Sequence, residues 1–222
     1  MPIADQKRLY FVYVILYLLV AAGLFYVQSL VGSSGASQSA RLFRAASGAF
    51  GISFAGFLMI DRYVWRLPLF RLIAGIKTPV LHGRWEGTLH SSYSEHKLAH
   101  PVVIEIRQTL HRTSLRYYDE NAITHSRLVG FSTFEPEGSI VLLCVYYNQP
   151  IVTNQASLQA HSGVMELYFD DDGEIMNGVY YNNPHQRVTY GHMALRLESR
   201  QLLGRFKEIE SVGFRYSTGS NT

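Results

Sequence analysis

Residues 163–182 read GVMELYFDDDGEIMNGVYYN. Two runs rich in Val, Ile, Leu, Phe and Tyr, 163–170 and 174–182, flank Asp171 to Gly173. Partial alternation at period two marks strands, and acidic residues running into glycine mark a tight turn, so the stretch predicts an antiparallel hairpin. The same reading extends in both directions from His82 onward. Strands are predicted at about 83–91, 101–109, 112–118, 126–135, 139–147, 163–170, 174–182 and 188–198, with no amphipathic helix between them. Eight short antiparallel strands close most simply into an eight-stranded up-and-down, lipocalin-like β-barrel, which leaves no free edge. A two-sheet sandwich is the alternative.

The connections give the barrel two unlike ends. Links after the second, fourth and sixth strands are tight: Leu110 and His111, Pro136 to Gly138, and Asp171 to Gly173. They form a closed floor. Links after the first, third, fifth and seventh are longer: Ser92 to His100, Asp119 to His125, Asn148 to Ser162, and Asn183 to Arg187. They form an open mouth. The first strand starts and the last ends at the floor, so whatever precedes the barrel attaches there.

What precedes it is apolar. Leu9 to Val31 carries no charge, and a helix of that length reaches roughly 35 Å, enough for the hydrocarbon core of a bilayer. A secretory signal peptide is the competing reading, because Lys7 and Arg8 precede the run and small residues follow it, but signal cores are shorter. A second, weaker span covers about 43–62. There Ser47, Gly51 and Ala55 place small side chains on one face, for packing either on the first helix or on another chain. Lys7 and Arg8 lie before the first span, Arg41 and Arg44 in the short connection, and Arg62, Arg66, Arg71 and Lys77 after the second, so both termini are expected on the cytoplasmic side. Pro68 and Pro79 bracket a short amphipathic segment expected to lie on the membrane surface. The expected organisation is a transmembrane hairpin at 1–66, a juxtamembrane linker at 67–79, a ligand-binding barrel at 80–200 and a tail at 201–222.

Composition agrees with a chain partly out of water: 47% of its 222 residues are hydrophobic and only 17% charged. A formal net charge of +3 is too small to propose a DNA or RNA polymer as partner. The single cysteine, Cys144, excludes an internal disulfide and reads as core packing.

The mouth carries the chemistry. Tyr93, Tyr117, Tyr118, Tyr146, Tyr147, Tyr180, Tyr181 and Tyr190 fall near its rim, with Asn182, Arg127, Arg187, His100 and His125. Tyrosine stacks on bases, asparagine reads base edges and arginine pairs with phosphate oxygens, so the set suits a small, planar, anionic guest. Tyr93, Tyr117, Tyr180 and Tyr190 are the candidate stacking or lining rings, Asn182 the base contact, and Arg127 or Arg187 the phosphate contact. Parity is ambiguous at Tyr117/Tyr118 and at Tyr180/Tyr181. Trp85 reads as floor packing.

An N-terminal hairpin followed by a β-rich domain that opens Gly83-Arg84-Trp85-Glu86-Gly87-Thr88-Leu89-His90-Ser91-Ser92-Tyr93 resembles the two-transmembrane, β-strand-rich effectors of bacterial CBASS antiphage defence. Gly178-Val179-Tyr180-Tyr181-Asn182 and Gly191-His192-Met193 fit the same picture. The resemblance implies a non-enzymatic effector whose barrel binds a cyclic dinucleotide made by a partner CD-NTase nucleotidyltransferase. It further implies that the chain self-associates and disrupts the inner membrane, causing cell death. No cofactor or metal is expected. Lipocalin-like barrels also begin Gly-x-Trp, so a membrane-tethered carrier of a small apolar ligand is the alternative, and a purely structural module is a third class.

Overall fold

A computed structural model of the chain describes residues 6–31, 37–120, 122–134, 139–150, 160–170, 173–182 and 188–206. Its eight antiparallel strands are hydrogen-bonded in chain order into a closed barrel. They are β1 (Gly83–Ser91), β2 (Ala99–Gln108), β3 (Thr113–Tyr118), β4 (Ala122–Phe134), β5 (Ser139–Pro150), β6 (His161–Phe169), β7 (Ile175–Asn182) and β8 (Thr189–Ser199). β1 closes the ring on β8, with Trp85 opposite Leu197 and Ser91 opposite Gly191. Alternate residues fill the interior: Ile104, Leu115, Leu142, Cys144, Leu167, Met176 and Leu195 form one core with Trp85. Trp85 is fully buried, donates from Nε1 to the Leu81 carbonyl (3.1 Å) and meets Phe169 edge-on at 5.8 Å, the packing role expected of it.

Several boundaries differ from the sequence reading: β2 starts at Ala99, β5 runs on to Pro150, and β4 and β6 start early. β4 begins at Ala122, so the mouth link after β3 is a tight turn rather than a loop through His125. The cause is Asp119, whose carboxylate accepts from Ala122 N (2.7 Å) while its own N–H donates to the Ala122 carbonyl (3.2 Å). This Asx-type turn leaves Thr124 and His125 inside the ladder. β6 starts two residues early, at His161, which pairs with Asn148. The links expected at Pro136 to Gly138 and at Asn183 to Arg187 lie outside the described residues, as do Asp171 and Asp172.

Two long helices precede the barrel, α1 (Gln6–Val31) and α2 (Gln38–Arg62), each long and apolar enough to cross a bilayer. Ala45 and Ala49 are the buried small residues of α2, and at Gly48 a methyl group would stand 3.2 Å from Leu24 Cδ1, so these positions let the helices approach. Ser47, Gly51 and Ala55 are exposed and are not the face that packs on α1. After α2 come one 3-10 turn (Val64–Arg66) and α3 (Pro68–Ala74), which Gly75 ends at φ 62°.

The floor is joined to the helices. At the β2–β3 turn, Leu110 N donates to the Asp61 carbonyl (2.9 Å) and His111 N to the Asp61 carboxylate (3.0 Å). Leu110 is buried with Leu9, Ile60, Trp65, Ala74 and Ile76. Arg66 donates to the Gln108 carbonyl (2.9 Å), and the buried Gln108 side chain accepts from Leu81 N (2.7 Å) and donates to the Pro79 carbonyl (2.9 Å). Beyond β8 the chain stays on the barrel. Glu105 accepts from Leu203 N (2.7 Å), and the buried Arg84 guanidinium donates to the Arg205 carbonyl (2.7 Å) and pairs with Glu105 at 3.2 Å.

Two outcomes follow from this packing. Gln108→Ala strands the buried Leu81 N–H and the half-buried Pro79 carbonyl and should cost about 2–3 kcal/mol, read as a lowered urea midpoint of the full chain. Burial pushes the Cys144 thiol up to about 12, so the folded protein should resist maleimide at pH 8 and label fully once denatured. By linkage, the stability this contributes is complete below the ordinary thiol value and is lost as pH rises from there towards 12.

Candidate functional site

The end of the barrel opposite the helices gathers tyrosines of three strands. In β5, Leu142 and Cys144 point inward, so Tyr146 does too. β3 turns Tyr117 into the core, and β7 sends Tyr180 inward against it. Tyr118 takes the opposite parity to Tyr117 yet is buried, whereas Tyr181 faces outward and is exposed. Glycines make room for two of the rings. A methyl group at Gly191 would stand 2.6 Å from Tyr180 Cε1, and one at Gly163 would collide with the Tyr146 ring at 2.5 Å from its Cζ.

Polar groups link these rings at the rim. Tyr180 and Ser91 share a hydroxyl hydrogen bond of 2.7 Å across the barrel. Asn182 holds the centre: its Oδ1 accepts from Thr189 N (3.2 Å) and from the Thr189 hydroxyl, and its Nδ2 lies 2.8 Å from His161 Nε2. Tyr146 hydrogen-bonds Asn182, and Tyr117 hydrogen-bonds Asp119. Thr124 donates to Asn148 Oδ1 (2.8 Å). Burial, and secondarily the Asp119 charge, holds the Tyr117 phenol well above its ordinary range, and burial does the same for Tyr146 and Tyr180. All three therefore stay neutral donors at any physiological pH.

A cleft of about 480 Å³ opens on the outer side of this rim, lined by His96, Val179, Tyr180, Tyr181, Tyr190 and His192. The loop after β1 builds one wall. Glu95 and His96 both have positive φ (52° and 60°), and His96 N donates to the Ser91 carbonyl (2.8 Å), which folds the His96 ring back over β8. There it lies 5.4 Å from Tyr190 and 5.8 Å from His192, which in turn stacks on His90 at 5.2 Å.

The candidate residues thus separate. Tyr117, Tyr180 and Asn182 come together inside the mouth. Tyr190 is on the outer face, 57% exposed, and borders the cleft. Tyr93 is exposed in the 3-10 turn (Ser92–Ser94) that follows β1. Arg127 sits at a bulge in β4 and lies over the Tyr147 ring at 4.5 Å, outside the barrel and away from the interior network. Arg187 lies outside the described residues. Sequence reasoning did not single out Ser91, Thr124, His161 or Thr189. Strand parity locates Ser91, two residues past Leu89, but the placement of His161 needed the true start of β6. Among the described residues there is no group of His, Cys, Asp or Glu fit to hold a metal.

Comparison with known proteins adds one finding. The family model described as Cap15, cyclic dinucleotide receptor domain, matches residues 76–197, from the approach to β1 nearly to the end of β8. No curated protein matches the chain. Because the match spans more than half of the 222 residues and takes in the whole mouth, this chain belongs to the Cap15 cyclic dinucleotide receptor family.

Proposed function

We propose that the chain is the membrane effector of a CBASS antiphage system. A cyclic dinucleotide from a partner CD-NTase binds at the barrel mouth, copies of the chain associate, and their helices disrupt the inner membrane and kill the cell. The observation that carries this reading is the gathering of aromatic rings and a polar network at the end of a Cap15 receptor barrel farthest from two membrane-length helices. In this reading Tyr180 and Tyr190 offer ring faces on the two sides of one rim, Tyr93 extends it, Tyr117 lines its base and Asn182 meets a base edge. Phosphate falls to Arg187 or, from outside, to Arg127. The protein acts by binding and assembly and not by catalysis.

Two surfaces support self-association. Ser47, Gly51 and Ala55 are left exposed by the hairpin's own packing and are open to helices of other chains. On the barrel wall, Leu128, Val145, Val164, Tyr181 and Tyr190 are consecutive cross-strand partners from β4 to β8, an outward apolar row near the mouth. The basic residues flanking the spans support a cytoplasmic position for both termini, the side on which the nucleotide would be made.

The test is thermal stability and sedimentation of the full chain in lipid nanodiscs against cyclic di- and trinucleotides, with a fatty acid as control. One nucleotide should raise Tm by several degrees and enlarge the assembly. Tyr180→Ala should weaken binding roughly tenfold or more through lost stacking. Tyr180→Phe keeps the ring and should lose only about fivefold. A response to the fatty acid alone would replace the effector with a tethered carrier.

A further inference from the structure

Between the second long helix and the barrel lies a short element whose surface is unlike that of a water-facing helix. α3 turns Phe70 and Ala74 into the cluster that joins α1, α2 and the β2–β3 turn. Its other side is apolar and uncovered: Leu69, Leu72 and Ile73, at positions i, i+3 and i+4, are 70%, 77% and 57% exposed, and Leu67 just before the helix is 56% exposed. Four large aliphatic side chains open to water at one junction are a costly arrangement for a soluble surface. Cations surround them at the same level of the fold. Arg62 ends α2, Arg71 is within α3, and Lys77 follows it, the first and last exposed. The buried side of α3 meets the junction where the start of α1 (Leu9) and the end of α2 (Ile60) share one cluster.

We infer that α3 is an interfacial binding surface for anionic phospholipid. Leu69, Leu72 and Ile73 enter the boundary between headgroups and acyl chains of the leaflet on which the barrel stands, to a depth of roughly 5–10 Å. Arg62, Arg71 and Lys77 meet the phosphates of the headgroups. Charge complementarity selects the occupant: a protein partner for an aliphatic patch has no need of three flanking cations, whereas an anionic leaflet supplies both an apolar layer and a layer of phosphate. Desolvation already lowers the Arg71 pKa, so its guanidinium gains from an anionic neighbour. The surface also fixes geometry. α3 adjoins the turn that carries Arg66, whose guanidinium holds the floor through Gln108, so a headgroup-bound α3 sets the height and tilt of the whole barrel above the bilayer.

The inference rests on the hairpin being inserted in a membrane, and the experiment separates the two. In a Cys144→Ala background, single cysteines replacing Leu72 and, separately, Leu18 of α1 are labelled with a fluorophore, and the full chain is reconstituted into vesicles with and without anionic phosphatidylglycerol. Both labels should be quenched by lipids brominated on the acyl chain and shielded from aqueous iodide. A Leu18 label shielded while the Leu72 label is open to iodide overturns the interfacial helix and leaves the inserted hairpin standing. Both labels open to iodide overturn insertion itself. Arg62→Gln/Arg71→Gln/Lys77→Gln should lower the preference of the unlabelled chain for fluorescent phosphatidylglycerol over phosphatidylcholine about tenfold or more, at unchanged Tm in neutral lipid. An undiminished preference would show that these cations do not select the lipid.

Discussion

Everything about the direction of this molecule depends on one junction, the seat of the β2–β3 turn on the end of α2. Asp61 is the last acidic residue of the hairpin, and its carbonyl and carboxylate accept the backbone N–H groups of Leu110 and His111. Such a contact would be weak alone, since a single hydrogen bond contributes about 1 kcal/mol net. It is backed by the buried cluster of Leu9, Ile60, Trp65 and Leu110, and by Gln108, whose side chain satisfies two backbone groups of the strand approach while its carbonyl holds Arg66. Removing the Gln108 side chain leaves the buried Leu81 N–H without its partner, which costs more than the bond contributed. The floor is thereby fixed against the helices, and the mouth must face the opposite way.

Much of this was legible in the sequence because the barrel depends on a period and on punctuation, both local. Eight alternating runs carried strand count and closure. What failed was also local in kind but not visible as pattern. The Asp119 turn shortens a link that polar composition made look long, because one carboxylate replaced a loop's worth of residues. The parity at Tyr117/Tyr118 and Tyr180/Tyr181 was undecidable from two adjacent identical side chains, and only register with Leu115 and Met176 settles which ring enters. Tyr190 lies beyond what a mouth argument can reach. It is at the rim, but one residue of parity puts it on the outer wall, where it borders a cleft that exists because His96 folds back over β8. Long-range features of that kind carry no periodic signal.

The rim chemistry constrains how a ligand could act here. Asn182 is paired on both sides of its amide, Tyr180 is paired with Ser91, and Thr124 with Asn148, so the polar groups of the mouth are largely satisfied without a guest. A nucleotide entering among them exchanges one set of hydrogen bonds for another and gains little from the exchange, which leaves ring faces and fixed cations as the source of affinity. The barrel itself is closed, with every strand paired on both sides. Under the assembly proposed above, the rim and the outer wall beside it are the surfaces on which occupancy of the mouth would be read. That is where the exposed row from Leu128 to Tyr190 ends, and where Tyr180 and Gly191 belong at once to the inner network and to the outer cleft. A guest that moves the Tyr180 ring off Gly191 would change both surfaces together, and in the proposed assembly a second copy would read that change.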